Sequence, residues 1–163
     1  MANRRMWGTN EFLCFMDDNR DTFIKHCSPI IWFDRSLPWG ERTVTGGSCF
    51  FLKFAGERYG LITAKHVADE YLRQCEIIGS NIALQVGNMQ LVSGRFEMHP
   101  TLDVAFAKVD GDCASSCEKI SIALASVHPR VVENHFVLVC GYPGGFRKID
   151  GRTIDFFFHA YVS

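Results

Sequence analysis

Residues 45–67, TGGSCFFLKFAGERYGLITAKHV, decide the reading of the fold. Cys49–Phe54 is apolar and aromatic, the composition of a strand. Ala55, Gly56 and Glu57 are turn material, and Tyr59–Thr63 is a second apolar run. Ala64, Lys65 and His66 follow, then VADEYL at helical spacing over 67–72. The pattern predicts two strands joined by a turn, the second giving way to a short helix with a histidine at the junction. A titratable side chain at the end of a buried strand is held rigidly, which suits chemistry.

Outward from this hairpin the chain stays rich in strand signals. Pro29–Phe33 (PIIWF) reads as a short apolar strand and Pro38–Glu41 as a loop or turn. Beyond a helix at 68–73, Cys75–Ile78 and Asn81–Val86 read as strands separated by Gly79 and Ser80. Gly87-Asn88 is a turn. Met89–Phe96 is a further strand, with Gly94 as a bulge signal, and Val104–Val109 closes the set. Many short strands with Gly/Asn turns predict an all-β barrel or sandwich. Upstream, residues 10–27 read as an amphipathic helix with Asn10 as N-cap and Phe12, Leu13, Phe15, Met16, Phe23 and Ile24 on its apolar face. That helix either packs on the barrel or serves as a partner-binding arm. Downstream, 110–128 reads as a surface connector, and Val131–Val139 and Thr153–Tyr161 as two further strands joined through Gly141–Gly145.

Composition limits the partners. Hydrophobic residues are 47% of the 163 and charged residues 21%, a balance that folds rather than stays disordered. The net charge of −1, with no basic block, gives no reason to expect nucleic acid or an anionic membrane as a partner. The start, MANRRMWGTNEFLCFMDD, has no long apolar core, so neither a signal peptide nor a membrane span is expected. Seven cysteines form no regular framework, which together with the missing export signal points to reduced thiols and a cytoplasmic location. Cys113 and Cys117 form C-x3-C, but no second pair stands at zinc spacing, so no metal and no cofactor is expected.

Three stretches resemble trypsin-like serine proteases of the compact bacterial style. GGSCFFLKF…GLITAKHV is similar to that family's Gly-Ser-x-Phe strand followed by a strand ending Thr-Ala-x-His. His99–Val109, HPTLDVAFAKV, is similar to its Asp-(Leu/Val)-Ala strand. Val137–Gly145, VLVCGYPGG, resembles the Gly-Tyr-Pro hairpin that opens its second barrel. The three lie in family order over roughly residues 29 to 145. The resemblance implies a six-stranded antiparallel Greek-key barrel over 29–110, preceded by the helical arm 1–28 and followed by a connector, 111–130, and an incomplete second barrel, 131–163. It implies peptide-bond hydrolysis of a peptide or protein substrate, with His66 as general base and Asp103 as the carboxylate that orients it. Asp69, three residues past His66, is the rival carboxylate on a helix; the solvated reading is preferred for it.

The chain departs from the family at the nucleophile. Gly-x-Ser-Gly-Gly is absent, and the serines after Asp103 (115, 116, 121, 126 and 163) have no flanking glycines. Ser48 follows Gly46-Gly47 but belongs to the early strand. Cys140 precedes Gly141 within an apolar run that reads as a buried strand, and it is not assigned as a nucleophile. Three readings stay open: a serine endopeptidase whose nucleophile lies outside these residues, a non-catalytic protease-like module that binds a protein partner, and a small all-β binding domain unrelated to proteases, which requires all three motif matches to be chance. Residues 131–163 cannot close a barrel alone. They are expected to dock on the first barrel or to pair with a second copy as a homodimer.

Overall fold

The computed structural model describes residues 9–91, 95–111, 113–124, 138–142, 147–150, 153–156 and 159–162. Helix α1 (Thr9–His26) runs into strand β1 (Cys27–Asp34), and β2 (Thr45–Phe54) and β3 (Arg58–Thr63) form the hairpin. Helix α2 (Lys65–Ile78) follows, then β4 (Ile82–Val86), β5 (Met89–Leu91), β6 (Phe96–Met98) and β7 (Ala105–Val109). A short helix α3 (Cys113–Ser116) and strand β8 (Ile122–Ala123) come next. The last described elements are β9 (Leu138–Gly141), β10 (Arg147–Asp150), β11 (Thr153–Phe156) and β12 (His159–Val162).

Strands β1 to β8 form one curled, mostly antiparallel, barrel-like sheet in the order β5-β4-β1-β2-β3-β7-β6. Strand β8 adds a short parallel pairing to β2. The two ends of that order, β5 and β6, are separated in sequence only by residues 92–95. The interior holds Ile30, Cys49, Phe51, Leu61, Leu84 and Val86, all essentially without solvent exposure. A second, smaller cluster of Ile31, Phe33, Val44 and Ala83 lies on the other side of β1, which explains why that strand is buried on both faces. Ile154 of β11 packs against this outer cluster. Strand β9 lies beside β1 and β2, fastened where the Ser48 hydroxyl accepts the Tyr142 N–H. Strand β9 and Ile154 of β11 therefore lie against the main sheet. They form two separate two-stranded pairs, β10 with β11 and β9 with β12.

The C-terminal end of α1 is finished by distant chain. Ile120 donates its N–H to Lys25 O at 2.7 Å, and Lys119 Nζ donates to Ile24 O at 2.9 Å. A cation on the last carbonyls suits both their unpaired acceptors and the helix dipole. Helix α2 buries Val67, Ala68 and Tyr71, and Tyr71 meets Trp32 and Phe96 edge to face. It can seat so close to β2 only because residue 47 is glycine: a Cβ there would stand 2.7 Å from Val67 Cγ2. Gly79 ends the helix at φ +70°, a backbone that glycine adopts without strain.

Several expected boundaries and positions are corrected. The helix expected at 68–73 spans Lys65–Ile78, so Cys75–Ile78 is its last turn and not a strand. Asn10 lies inside α1, which already includes Thr9. The single strand expected over Met89–Phe96 is two, β5 and β6; Gly94 lies outside the described residues, as do 131–137 of the expected 131–139 strand. The connector 110–128 is not wholly irregular, since it carries α3 and β8, and β10 was not expected. Among the apolar residues of these strands and their ends, Leu61 is fully buried, Phe50, Leu52, Ile62 and Phe106 are half-buried, and Val104 is exposed. Among the described residues, no helix is long and apolar enough to cross a membrane.

Candidate active site

Strand register brings the predicted pair together. In the antiparallel β3–β7 ladder, Thr63 stands opposite Ala105. His66 lies three residues beyond Thr63, in the first turn of α2, and Asp103 lies two residues before Ala105, at the same end of the ladder. The strand end beneath them is fixed, because the buried Thr63 donates its hydroxyl to Ser48 O at 2.8 Å.

Asp103 grips His66 twice. Its Oδ1 accepts the His66 main-chain N–H at 2.9 Å, and its Oδ2 accepts the ring Nδ1–H at 2.7 Å. The first contact has a local cause: Ala64 sits at the N-cap of α2 with no side-chain acceptor, so the helix start leaves unpaired donors. A carboxylate from another loop fills that role, and the positive end of the helix dipole favours its charge. The second contact fixes the ring. An ionised carboxylate only accepts, so the proton sits on Nδ1 and the neutral imidazole keeps its lone pair on Nε2. The hydrogen bonds from His66, main chain first and ring second, hold the Asp103 carboxyl below the ordinary carboxylate range.

The pair is solvent-facing, with side-chain exposures of 74% for His66 and 59% for Asp103. Exposed ion pairs contribute little to stability because water screens them. Asp69, the rival carboxylate, is exposed on α2 and makes no hydrogen bond to His66. The nearby Glu70 is engaged by Arg73 and Gln74, which push its carboxyl down to about 2.

The depressed Asp103 carboxyl has a testable sign. A group whose folded value lies below its unfolded value stabilises the fold above the unfolded value, and that contribution disappears as pH falls through the folded one. Asp103→Asn is expected to be slightly less stable than wild type near neutrality, with the gap closing in acid below the ordinary carboxylate range. Urea midpoints of the two proteins at stepped pH check this. Glu70 cancels in the difference, since both proteins carry it.

No described serine or cysteine is hydrogen-bonded to His66. Ser115 and Ser116 are exposed on α3, Ser121 is half-buried, and the Ser48 hydroxyl is committed to Tyr142. Ser126, Ser163 and the side chain of Cys140 lie outside the described residues. Among the described residues, no group of three or more His, Cys, Asp or Glu side chains is placed to hold a metal ion. Cys49, Cys113 and Cys117 are buried thiols, and burial raises both Cys49 and Cys117.

One residue near the pair has no sequence motif behind it. The ring of His99 sits at the start of the loop that carries Asp103 and accepts main-chain N–H groups from Thr101 at 3.3 Å and Leu102 at 3.0 Å. No protein-family model, curated protein or solved structure matches the chain.

Proposed function

We propose that this chain carries the base and its orienting carboxylate of a trypsin-like serine endopeptidase, with the nucleophile outside residues 1–163. The observation that carries the proposal is the double grip of Asp103 on His66, through main chain and ring at once. That grip leaves Nε2 as the free lone pair of a fixed tautomer, which a general base needs. In the proposed reaction His66 takes the proton from a serine hydroxyl as it attacks the peptide carbonyl, then returns it to the leaving amine. Asp103 stabilises the imidazolium in between. No cofactor enters.

The topology supports the same reading. Strand β4 returns to lie beside β1 in the order β4-β1-β2-β3, all antiparallel, which supports a Greek key. The two ends of the sheet order, β5 and β6, are consecutive strands of the chain. A closed barrel also removes exposed strand edges.

Sequencing the transcript that encodes this chain tests the proposal. The expected result is Gly-x-Ser-Gly-Gly in frame, past Ser163. A stop codon immediately after Ser163 would overturn it, and the non-catalytic, partner-binding module would then be the better account.

A further inference from the structure

We propose that His99 is a positioning residue for the His66–Asp103 pair, acting as a hydrogen-bond acceptor that folds the Asp103 loop. The proposal deepens the reading of that pair as base and orienter, and rests on it for its meaning. The loop between β6 and β7 closes in three ways. His99 donates its N–H to Val104 O at 2.9 Å, joining the two ends. Val104 donates its N–H to Leu102 O at 2.8 Å, a three-residue turn with Asp103 at its centre. The His99 ring then takes the main-chain N–H groups of Thr101 and Leu102 on one nitrogen, Nδ1.

The chemistry of that nitrogen follows from its neighbours. A main-chain N–H only donates, so Nδ1 must be the unprotonated nitrogen, and neutral His99 carries its proton on Nε2. The tautomer is the opposite of the one Asp103 imposes on His66. Residue 100 is proline, which lacks an N–H of its own and biases His99 towards extended backbone. The pre-proline bias at 99, a fixed φ at 100 and an acceptor that gathers the next two N–H groups set the direction in which the chain enters Asp103. Asp103 must present both oxygens at once, Oδ1 to the main chain of α2 and Oδ2 to the ring, so a small turn of its backbone costs one contact or both.

The loop is exposed at His99, Pro100, Thr101 and Leu102. Water can therefore replace the ring as acceptor, and removing it loosens the loop without unfolding the protein. His99→Ala is expected to expose the His66 Nδ1 proton to solvent exchange roughly tenfold faster, the size of effect that follows from losing a side-chain cap. His99→Asn is expected to restore most of the protection, because an asparagine oxygen accepts the N–H two residues on in the same way.

The test is nuclear magnetic resonance of the ¹⁵N-labelled chain. It reads the exchange of the His66 Nδ1 proton in wild type, His99→Ala and His99→Asn, and the ¹⁵N shifts of the His99 ring in wild type. Faster exchange in His99→Ala with recovery in His99→Asn supports the proposal, as does an unprotonated Nδ1 at His99. Unchanged exchange in His99→Ala overturns it. Loss in His99→Asn as large as in His99→Ala overturns it too, since the ring would then act by bulk. The ¹⁵N shifts need no variant to fold, and a protonated Nδ1 in neutral His99 overturns it on its own. Absence of a protected His66 proton in wild type is the separate result that would sink the His66–Asp103 pairing itself.

Discussion

Asp103→Asn, made in the longer, serine-bearing chain that the proposed function requires, is expected to lower kcat on the order of 10⁴-fold with little change in the fold. The amide has nearly the size and shape of the carboxylate, so the loop keeps its course. The electronics change. One end of the asparagine can still accept the His66 N–H that Oδ1 accepts at 2.9 Å, but the other end then presents an NH₂ group to the ring. A donor facing Nδ1 selects the tautomer with the proton on Nε2. That nitrogen can no longer take a proton from a nucleophile, and the imidazolium loses the charge that stabilised it. Steady-state hydrolysis of a peptide substrate by the two proteins checks this. A loss under tenfold would mean that Asp103 serves the helix start alone.

Phe51→Ala is expected to cost about 3–5 kcal/mol of folding stability, measured as a shift in the urea unfolding midpoint at unchanged slope. Phe51 is 0% exposed and lies in the cluster that also holds Leu61, Leu84 and Val86 from two other strands. Removing its ring leaves a cavity among side chains fixed by strand pairing, which can collapse only in part. A cost below about 1 kcal/mol would contradict a closed interior at that position.

The same residue shows where the sequence was legible and where it was not. The hairpin at 45–63 is plain, because apolar runs flank Ala55, Gly56 and Glu57. Its register is not. CFFLKF offers apolar residues at both parities, so alternation cannot choose between Phe50 and Phe51 as the inward side chain. Pairing with β1 and β3 makes the choice, and Phe51 goes in. Cys75–Ile78 misled for a related reason. Two adjacent isoleucines suit a strand taken alone, but Val67, Tyr71 and Cys75 recur every four residues and place one helical face on the core.

At the candidate site, His66 and Asp103 were found through resemblance, and 37 positions of separation say nothing about contact until the Thr63–Ala105 register is known. One local clue was available: Ala64 precedes a helix and has no capping oxygen, so an acceptor had to come from elsewhere. His99 had no such clue. Its role depends on a turn that folds the ring back onto the next two N–H groups, and no residue pattern used for the reading encodes that geometry.

The most direct measurement of the central claim is labelling by a serine-reactive phosphonate probe. Three chains are compared: residues 1–163, the longer serine-bearing chain that the proposed function requires, and that longer chain carrying His66→Ala. The expected result is label on a serine of the longer chain only, with none on residues 1–163 and a near-total loss when His66 is removed. Label on residues 1–163, or label retained at the wild-type rate in His66→Ala, would contradict it.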